Sequence, residues 1–248
     1  MSLQESIQTA REMVSNAKRI SALTGSGISV DSGIPDFRSE GGLWKRYDPL
    51  EYATLESFER DPTKFWTMGK ELAETILKAQ PNPAHKALAT LENQGKLTGI
   101  ITLNIDNLHQ SAGSKNVIEL RGNYLSAHCI DCGAKYFGKK VHERVAKGQI
   151  PPKCEKCGGV LKSAAILFGE PLPEEPMAKA VHLCRSTDLM IVIGTSLTIY
   201  PAAYLPQLAK NTGAKILLVN LDGNNKDNVA DIVFKGRASD IIPEIIQS

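Results

Sequence analysis

The sequence predicts an α/β fold: a Rossmann-like parallel sheet with helices on both faces, joined to a small zinc-binding module. Three observations lead there. Continuous apolar, β-rich runs alternate with helical segments, as expected of strands buried on both faces. The carboxyl ends of those runs are rich in small or polar residues, and it is at such ends that parallel sheets bind ligands. Two knuckles, Cys129-x-x-Cys132 and Cys154-x-x-Cys157, stand 21 residues apart and hold four of the five cysteines.

Along the chain, Ile7, Ala10, Met13, Val14 and Ala17 recur at helical spacing and predict a first helix over 3–17. The apolar run 19–24 reads as a strand that stops at Gly25-Ser26-Gly27, and a Pro/Gly-rich loop follows from Ser32 to Gly42. Segment 49–80 reads as short helices that pack through Phe58, Phe65, Trp66 and Leu72. Asn82-Pro83 opens another helix, running to Leu91. Strands are expected at 97–103 and 117–120, before the cysteine segment interrupts. Beyond it, 164–168 reads as extended and 176–185 as helical, with Pro176 suited to a first turn. Two more strands follow, 189–193 ending in Gly194-Thr195-Ser196 and 216–219 ending in Asn220. There is no internal repeat and no low-complexity segment.

The knuckle spacing lets four thiolates close a tetrahedron on one Zn²⁺, and fits two disulfides or four unrelated thiols less well. Gly133 and Gly158-Gly159 supply the backbone freedom these turns need. Four cysteine ligands leave no position for a substrate, so this zinc is structural. The leftover Cys184 reads as a buried helix residue. The 248 residues suffice for one large core with a satellite. Accordingly, 1–127 with 160–248 is expected to form the Rossmann-like body, with a helical insertion at about 43–80, and 128–159 the zinc module. A net charge of +2 argues against nucleic acid or an anionic membrane as main partner. No apolar run approaches the ~20 residues needed to span a bilayer. Thiolate zinc and an odd cysteine suit a reducing, cytoplasmic interior. Without a long exposed apolar seam, a monomer is expected.

The strand ends read Thr-Gly-Ser-Gly, Leu-Asn-Ile-Asp, Gly-Thr-Ser and Asn-Leu-Asp. Together they suit ribose hydroxyls and close backbone approach. The run from Gly25 to Val30 departs from GxGxxG at its last position, and by itself fits an ordinary strand–helix turn equally well. Its placement between a strand and a helical loop adds weight, because amides there suit a pyrophosphate. Asp106, at a strand end, suits a helix N-cap.

The ordered set of motifs resembles the sirtuin family. Gly25-Ser26-Gly27-Ile28-Ser29, Gly33-Ile34-Pro35-Asp36-Phe37-Arg38 and Gly42-Leu43-Trp44 resemble its cofactor loop. Asn104-Ile105-Asp106-x-Leu108-His109, Ala112-Gly113-Ser114, the two knuckles, Phe168-Gly169-Glu170, Gly194-Thr195-Ser196-Leu197 and Val219-Asn220 follow in family order. The resemblance covers essentially the whole chain. It implies an NAD-dependent protein-lysine deacetylase, a transferase that consumes NAD and moves the acyl group of an acyl-lysine peptide or protein onto ADP-ribose. By the same resemblance, Gly25, Ser26, Gly27, Val30, Phe37 and Arg38 border the adenosine-diphosphate and ribose path. Leu103, Asn104, Ile105 and Asp106 meet the nicotinamide ribose and carboxamide. Thr195, Ser196, Asn220 and Ala238 line the adenosine side. The peptide lies as an added strand between Phe168-Gly169-Glu170 and Leu197, Thr198 and Tyr200. Gly69 and Leu72 stand where relatives that prefer acidic acyl groups carry Tyr and Arg, which implies neutral acyl groups.

Two positions depart from the family pattern. Leu103 replaces the Gln of Thr-Gln-Asn-Ile-Asp, and Arg121 replaces the His of Glu-Leu-His-Gly, the general base. A guanidinium has no lone pair to offer, so Arg121 cannot be that base. The expectation is slow acyl transfer, with nicotinamide release less damaged. His109 and His128 are the nearby histidines, and spacing places neither as base. The alternatives are an ADP-ribosyltransferase or NAD glycohydrolase, and a non-catalytic NAD- or ADP-ribose-binding protein.

Overall fold

Every residue of Ile20–Thr24 (β1) is buried, because this strand is central in a six-stranded sheet. The structure is a computed structural model that describes residues 2–37, 41–222 and 227–246. Helix α1 (Leu3–Asn16) precedes β1, closed at its start by a reciprocal cap between Ser2 and Glu5. After β1 come a 3₁₀ turn (Ser26–Ser32), α2 (Pro49–Tyr52), α3 (Leu55–Arg60), α4 (Pro62–Lys78) and α5 (Pro83–Asn93). Then follow β2 (Leu97–Thr102), α6 (Leu108–Ser111), β3 (Val117–Glu119), β4 (Ser126–Cys129), β5 (Lys135–Phe137), α7 (Gly138–Ala146) and β6 (Leu161–Ser163). The chain continues through α8 (Glu174–Ser186), β7 (Leu189–Ile193), α9 (Leu205–Asn211), β8 (Lys215–Asn220), β9 (Ile232–Lys235) and α10 (Ala238–Ile246).

The large sheet runs β3-β2-β1-β7-β8-β9, all parallel. With the three module strands set aside, this is the dinucleotide-fold order 3-2-1-4-5-6. Alternation along the strands divides the core. Ile20, Ala22, Ile100 and Ile191 face α1, α5 and α10. Leu23, Ile101, Met190 and Val192 face α8 and α9, with Cys184 buried among them. Thr24 pairs with Thr102 on one side and Ile193 on the other, so Gly25, Leu103 and Gly194 leave the sheet at one level. That level is the rim of the site.

The remaining strands form an antiparallel sheet, β5-β4-β6. They share a core with α4 and α7 through Phe65, Trp66, Ala127, Val141, Val145 and Leu161. Trp66 Nε1 donates to the Leu161 carbonyl at 2.8 Å, tying α4 to the module.

Two local expectations need correction. Segment 49–80 is not only short helices: α4 runs 17 residues, started by the Asp61 cap on the Thr63 amide and by Pro62. Segment 164–168 is not a strand. The strand is β6, paired to β4, and Phe168 makes only an isolated bridge with Thr54. The sequence reading also passed over α6, α7, α9, β4, β5, β9 and α10.

Candidate functional site

Strands β1 and β7 leave the sheet side by side, and their outgoing turns meet at glycine. A Cβ on Gly27 would stand 2.6 Å from the Gly194 Cα, and one on Gly25 2.8 Å from the Gly194 carbonyl oxygen. Only glycine allows that crossing. Strand order reverses here, and such a point opens a crevice above the sheet. A cavity of about 430 Å³ occupies it. Gly25 and, from the 3₁₀ turn, Ser26, Gly27 and Val30 line it, with Thr195, Ser196 and Asn220 from the ends of later strands and Ala238 from the start of α10. Phe37, Leu103, Asn104, Arg121 and Phe168 stand at its other end. Ile105 and Asp106 line a smaller cavity of about 80 Å³. Ser26, Phe37, Trp44, Leu103, Asn104 and Arg121 border both, so the two join. Arg38 lies outside the described residues.

The polar groups at the junction are held from below. Asn104 is buried and gives Nδ2 to the Gly25 carbonyl at 3.1 Å and to Ser29 Oγ at 3.2 Å. Asp106 accepts from Ser29 Oγ at 2.7 Å and from the Leu108 amide at 3.0 Å. Its carboxylate therefore caps the turn into α6 and borders the cavity at once. Burial raises its pKa, against the lowering by these hydrogen bonds.

Arg121 enters on a chain pinned by Gly122, whose φ is +65° and whose Cβ would collide with the Ala164 carbonyl. Its guanidinium lies 5.1 Å from the Phe168 ring centroid and gives Nη2 to the Ile166 carbonyl at 2.8 Å. Neither His109 nor His128 borders the two cavities. His109 is buried with Nε2 at 2.9 Å from Thr24 Oγ1, and burial pushes its pKa down to about 3. His128 lies on β4, half-buried; burial and then the Lys162 charge lower its pKa.

The expected peptide cleft has fixed walls. Glu170 pairs with buried Lys162 at 2.9 Å and accepts from the Leu167 amide, so its side chain is spent inward. Phe168 hydrogen-bonds by its backbone to Ala53 and Leu55. Leu197 is buried with φ +52°, Thr198 Oγ1 lies 3.0 Å from Ser196 Oγ, and Tyr200 is exposed against Tyr204.

Among the cavity residues to which sequence reasoning assigned no role are Trp44, Asp31 and Arg237. Trp44 lies 5.1 Å from Phe37 and 6.0 Å from Phe168, ring centroid to centroid. Its place in the Gly42-Leu43-Trp44 motif was the available signal. Asp31 and Arg237 pair at 2.8 Å. Arg237 follows β9, and without that strand nothing marked it.

The four knuckle sulfurs all lie within 4.8 Å of one another. Cys129 and Cys157 are 3.5 Å apart, Cys132 and Cys154 3.7 Å. These match the edge of about 3.8 Å in a tetrahedron with 2.3 Å Zn–S bonds, and exceed any disulfide. The Tyr136 hydroxyl hydrogen-bonds Cys154 at 3.1 Å and pulls its pKa down to about 6, favouring thiolate. The donor set fits Zn²⁺. No helix among the described residues is long and apolar enough to cross a membrane.

A model of the Sir2 family matches residues 25–201. NAD-dependent protein deacylase 2 of Pyrobaculum aerophilum is 42% identical over 236 residues, covering 95% of this chain and 93% of that protein. A Sir2 structure with deacetylated p53 peptide and 3'-O-acetyl ADP-ribose aligns at TM-score 0.92 and 35% identity, covering 99% of this chain and 98% of the other. A Sir2 protein bound to a myristoylated histone peptide aligns at TM-score 0.85 and 36% identity, covering 98% and 96%.

Proposed function

The chain belongs to the Sir2 family, and we propose that it is an NAD-dependent protein-lysine deacylase whose acyl-transfer step lacks the family's usual base. One observation carries this: a nucleotide-sized crevice meets a smaller, largely apolar cavity at Asn104 and Arg121. When bound, NAD supplies the ribose onto which the acyl group is transferred, and it is consumed. The residues present fit it. The side-chain-free floor of Gly25, Gly27 and Gly194 admits a pyrophosphate at close approach. Thr195, Ser196, Asn220 and Ala238 take the adenosine side, and Val30 continues the path. Asn104, its amide held by Gly25 and Ser29, keeps Oδ1 for a ribose hydroxyl. Ile105 and Asp106 take the carboxamide, since each carboxylate oxygen retains a lone pair beyond those spent on Ser29 and Leu108. Phe37 and Trp44 exclude water from the junction.

The acyl-lysine protein adds as a strand between Phe168-Gly169-Glu170 and Leu197, Thr198 and Tyr200. With Glu170 and Leu197 turned inward, these walls offer mainly backbone, which gives affinity with little sequence selectivity. The peptide complexes of the similar Sir2 structures support this class of partner. Residues 128–159, with Ser126, Ala127 and Leu161–Ser163 completing their sheet, act as a structural zinc module, and the rest of the chain as the cofactor-binding body.

Arg121 donates but cannot accept a proton, and Leu103 offers no amide to the ribose. A second reading, transfer of ADP-ribose to water or protein, rests on that donor-only guanidinium alone. The test is mass spectrometry of an acetyl-lysine peptide incubated with NAD and the protein. Slow formation of deacetylated peptide with O-acetyl-ADP-ribose is expected. ADP-ribose accumulating while the peptide stays acetylated would replace this reading with the second.

A further inference from the structure

Lys162 stands in the middle of β6, opposite His128 of β4, with a side chain only 6% exposed. A lysine so deep needs each donor of its ammonium met. Nζ lies 2.9 Å from Glu170 Oε2, and donates to the Ala165 carbonyl at 3.2 Å and the Ser163 carbonyl at 3.4 Å. Glu170 Oε2 also accepts from the Leu167 amide at 2.6 Å, and the Glu170 amide donates to the Leu167 carbonyl at 3.2 Å. The carboxylate thus closes a turn over 167–170, in which Gly169 takes a φ of +88°. Phe168 spends its own amide and carbonyl on Ala53 and Leu55. Gly169, by contrast, makes no backbone hydrogen bond among the described residues. Its amide and carbonyl remain for an added strand.

We propose that Lys162 is a positioning residue for the acyl-lysine protein: its buried charge holds Glu170 away from the cleft and sets the turn through which Gly169 pairs with the incoming strand. The inference rests on the deacylase reading and names the side chain that shapes its substrate wall. A buried ion pair adds little net stability over apolar side chains of similar volume, so what this one contributes is geometry. Without the ammonium, the Glu170 carboxylate is left buried and unpaired. Turning out to water would carry it into the cleft and release the Leu167 amide. Lys162 is itself set by its neighbours. Leu161 pairs with Cys129 of the first knuckle, and its carbonyl accepts from Trp66 Nε1 at 2.8 Å. The module's return strand therefore governs peptide affinity while leaving the nucleotide crevice alone, since neither Lys162 nor Glu170 borders it.

Binding tests this without turnover, so the missing base does not obscure it. Acetyl-lysine peptide and ADP-ribose are titrated separately, by calorimetry, into the zinc-loaded chain and its variants. Lys162→Met should weaken peptide binding about tenfold, the worth of one backbone hydrogen bond, and leave ADP-ribose binding unchanged. Lys162→Arg, which keeps the charge and its donors, should recover the peptide affinity of the unchanged chain. Because a lone buried carboxylate can unfold the segment, a Lys162→Met, Glu170→Met double variant removes both charges at similar volume. It should bind ADP-ribose normally and hold the peptide about as weakly as Lys162→Met does, because the lysine acts through Glu170. A double variant with the unchanged chain's peptide affinity would show that the pair only stabilises the fold, and overturns the inference. Unaltered peptide binding by Lys162→Met, with ADP-ribose bound as before, overturns it as well. Failure of the unchanged chain to bind the acetyl-lysine peptide overturns the deacylase reading and the inference with it.

Discussion

Arg121 holds its guanidinium over Phe168 and gives Nη2 to the Ile166 carbonyl, which places a positive donor where the family resemblance calls for a proton acceptor. The consequence is selective. Asn104 and Asp106 remain anchored through Ser29, Gly25 and Leu108, so the groups proposed to orient the nicotinamide end are in place. Only the later step needs a base, and a missing general base typically costs on the order of 10²–10⁴ in rate. Exchange of isotopically labelled nicotinamide into NAD, with acetyl-lysine peptide present, should therefore outpace deacetylation by a similar factor. Equal rates for the two would show that another group takes the proton. His109 is not that group: its Nε2 is engaged with Thr24 Oγ1, and burial keeps its pKa near 3.

At the scale of elements, α4 and the zinc module behave as one lobe, and two predictions follow from how they are joined. Gly69→Ala should stabilise the protein by about 1 kcal/mol in thermal denaturation, because the added methyl meets only the Trp66 ring at 3.8 Å. A loss of stability would mean that the wall there is already closed. Zinc removal should loosen β4–β6, because the four knuckle sulfurs, all within 4.8 Å of one another, then lose the ion their arrangement fits. The readout is tryptophan fluorescence, which reports Trp66 leaving the Leu161 carbonyl, while far-ultraviolet dichroism of the larger sheet persists. The same elements mark where sequence reading worked. β1, β7 and β8 were legible as unbroken apolar runs, and each ended in the small or polar residues that now rim the crevice. β9 was not: four residues follow a polar stretch, and α10 carries Pro243 inside it. Arg237 was missed with them. The cysteine spacing gave the metal site, but the module's short strands alternate weakly, and nothing local said that Leu161–Ser163 rather than 164–168 would pair with β4. Tyr124 and His142 could not be linked from sequence, because only packing of α7 brings their rings together.

At the scale of the whole molecule, one parallel sheet sets the site by ending β1, β2 and β7 at a common level. It also buries neutral imidazoles. Burial pushes the pKa of His85 and His142 down to about 4 and that of His109 to about 3, against 6.5 in the unfolded chain. The folded form thus resists protons that the unfolded form binds. Their contribution to stability is complete above pH 6.5 and is lost as pH falls from there towards 4. Each histidine adds a slope of up to about 1.4 kcal/mol per pH unit in that window. Denaturant midpoints should fall steeply across it, and His85→Gln should flatten the fall; an unchanged slope would remove His85 from this account. The central claim is narrower: an intact NAD-dependent deacylase scaffold is slowed at the positions of Leu103 and Arg121. The most direct measurement is the rate of O-acetyl-ADP-ribose formation from an acetyl-lysine peptide and NAD. The unchanged chain is compared with the Leu103→Gln, Arg121→His double variant. An increase on the order of a hundredfold or more in the double variant is predicted. Equal rates, fast or absent, in a double variant that still binds NAD would contradict it.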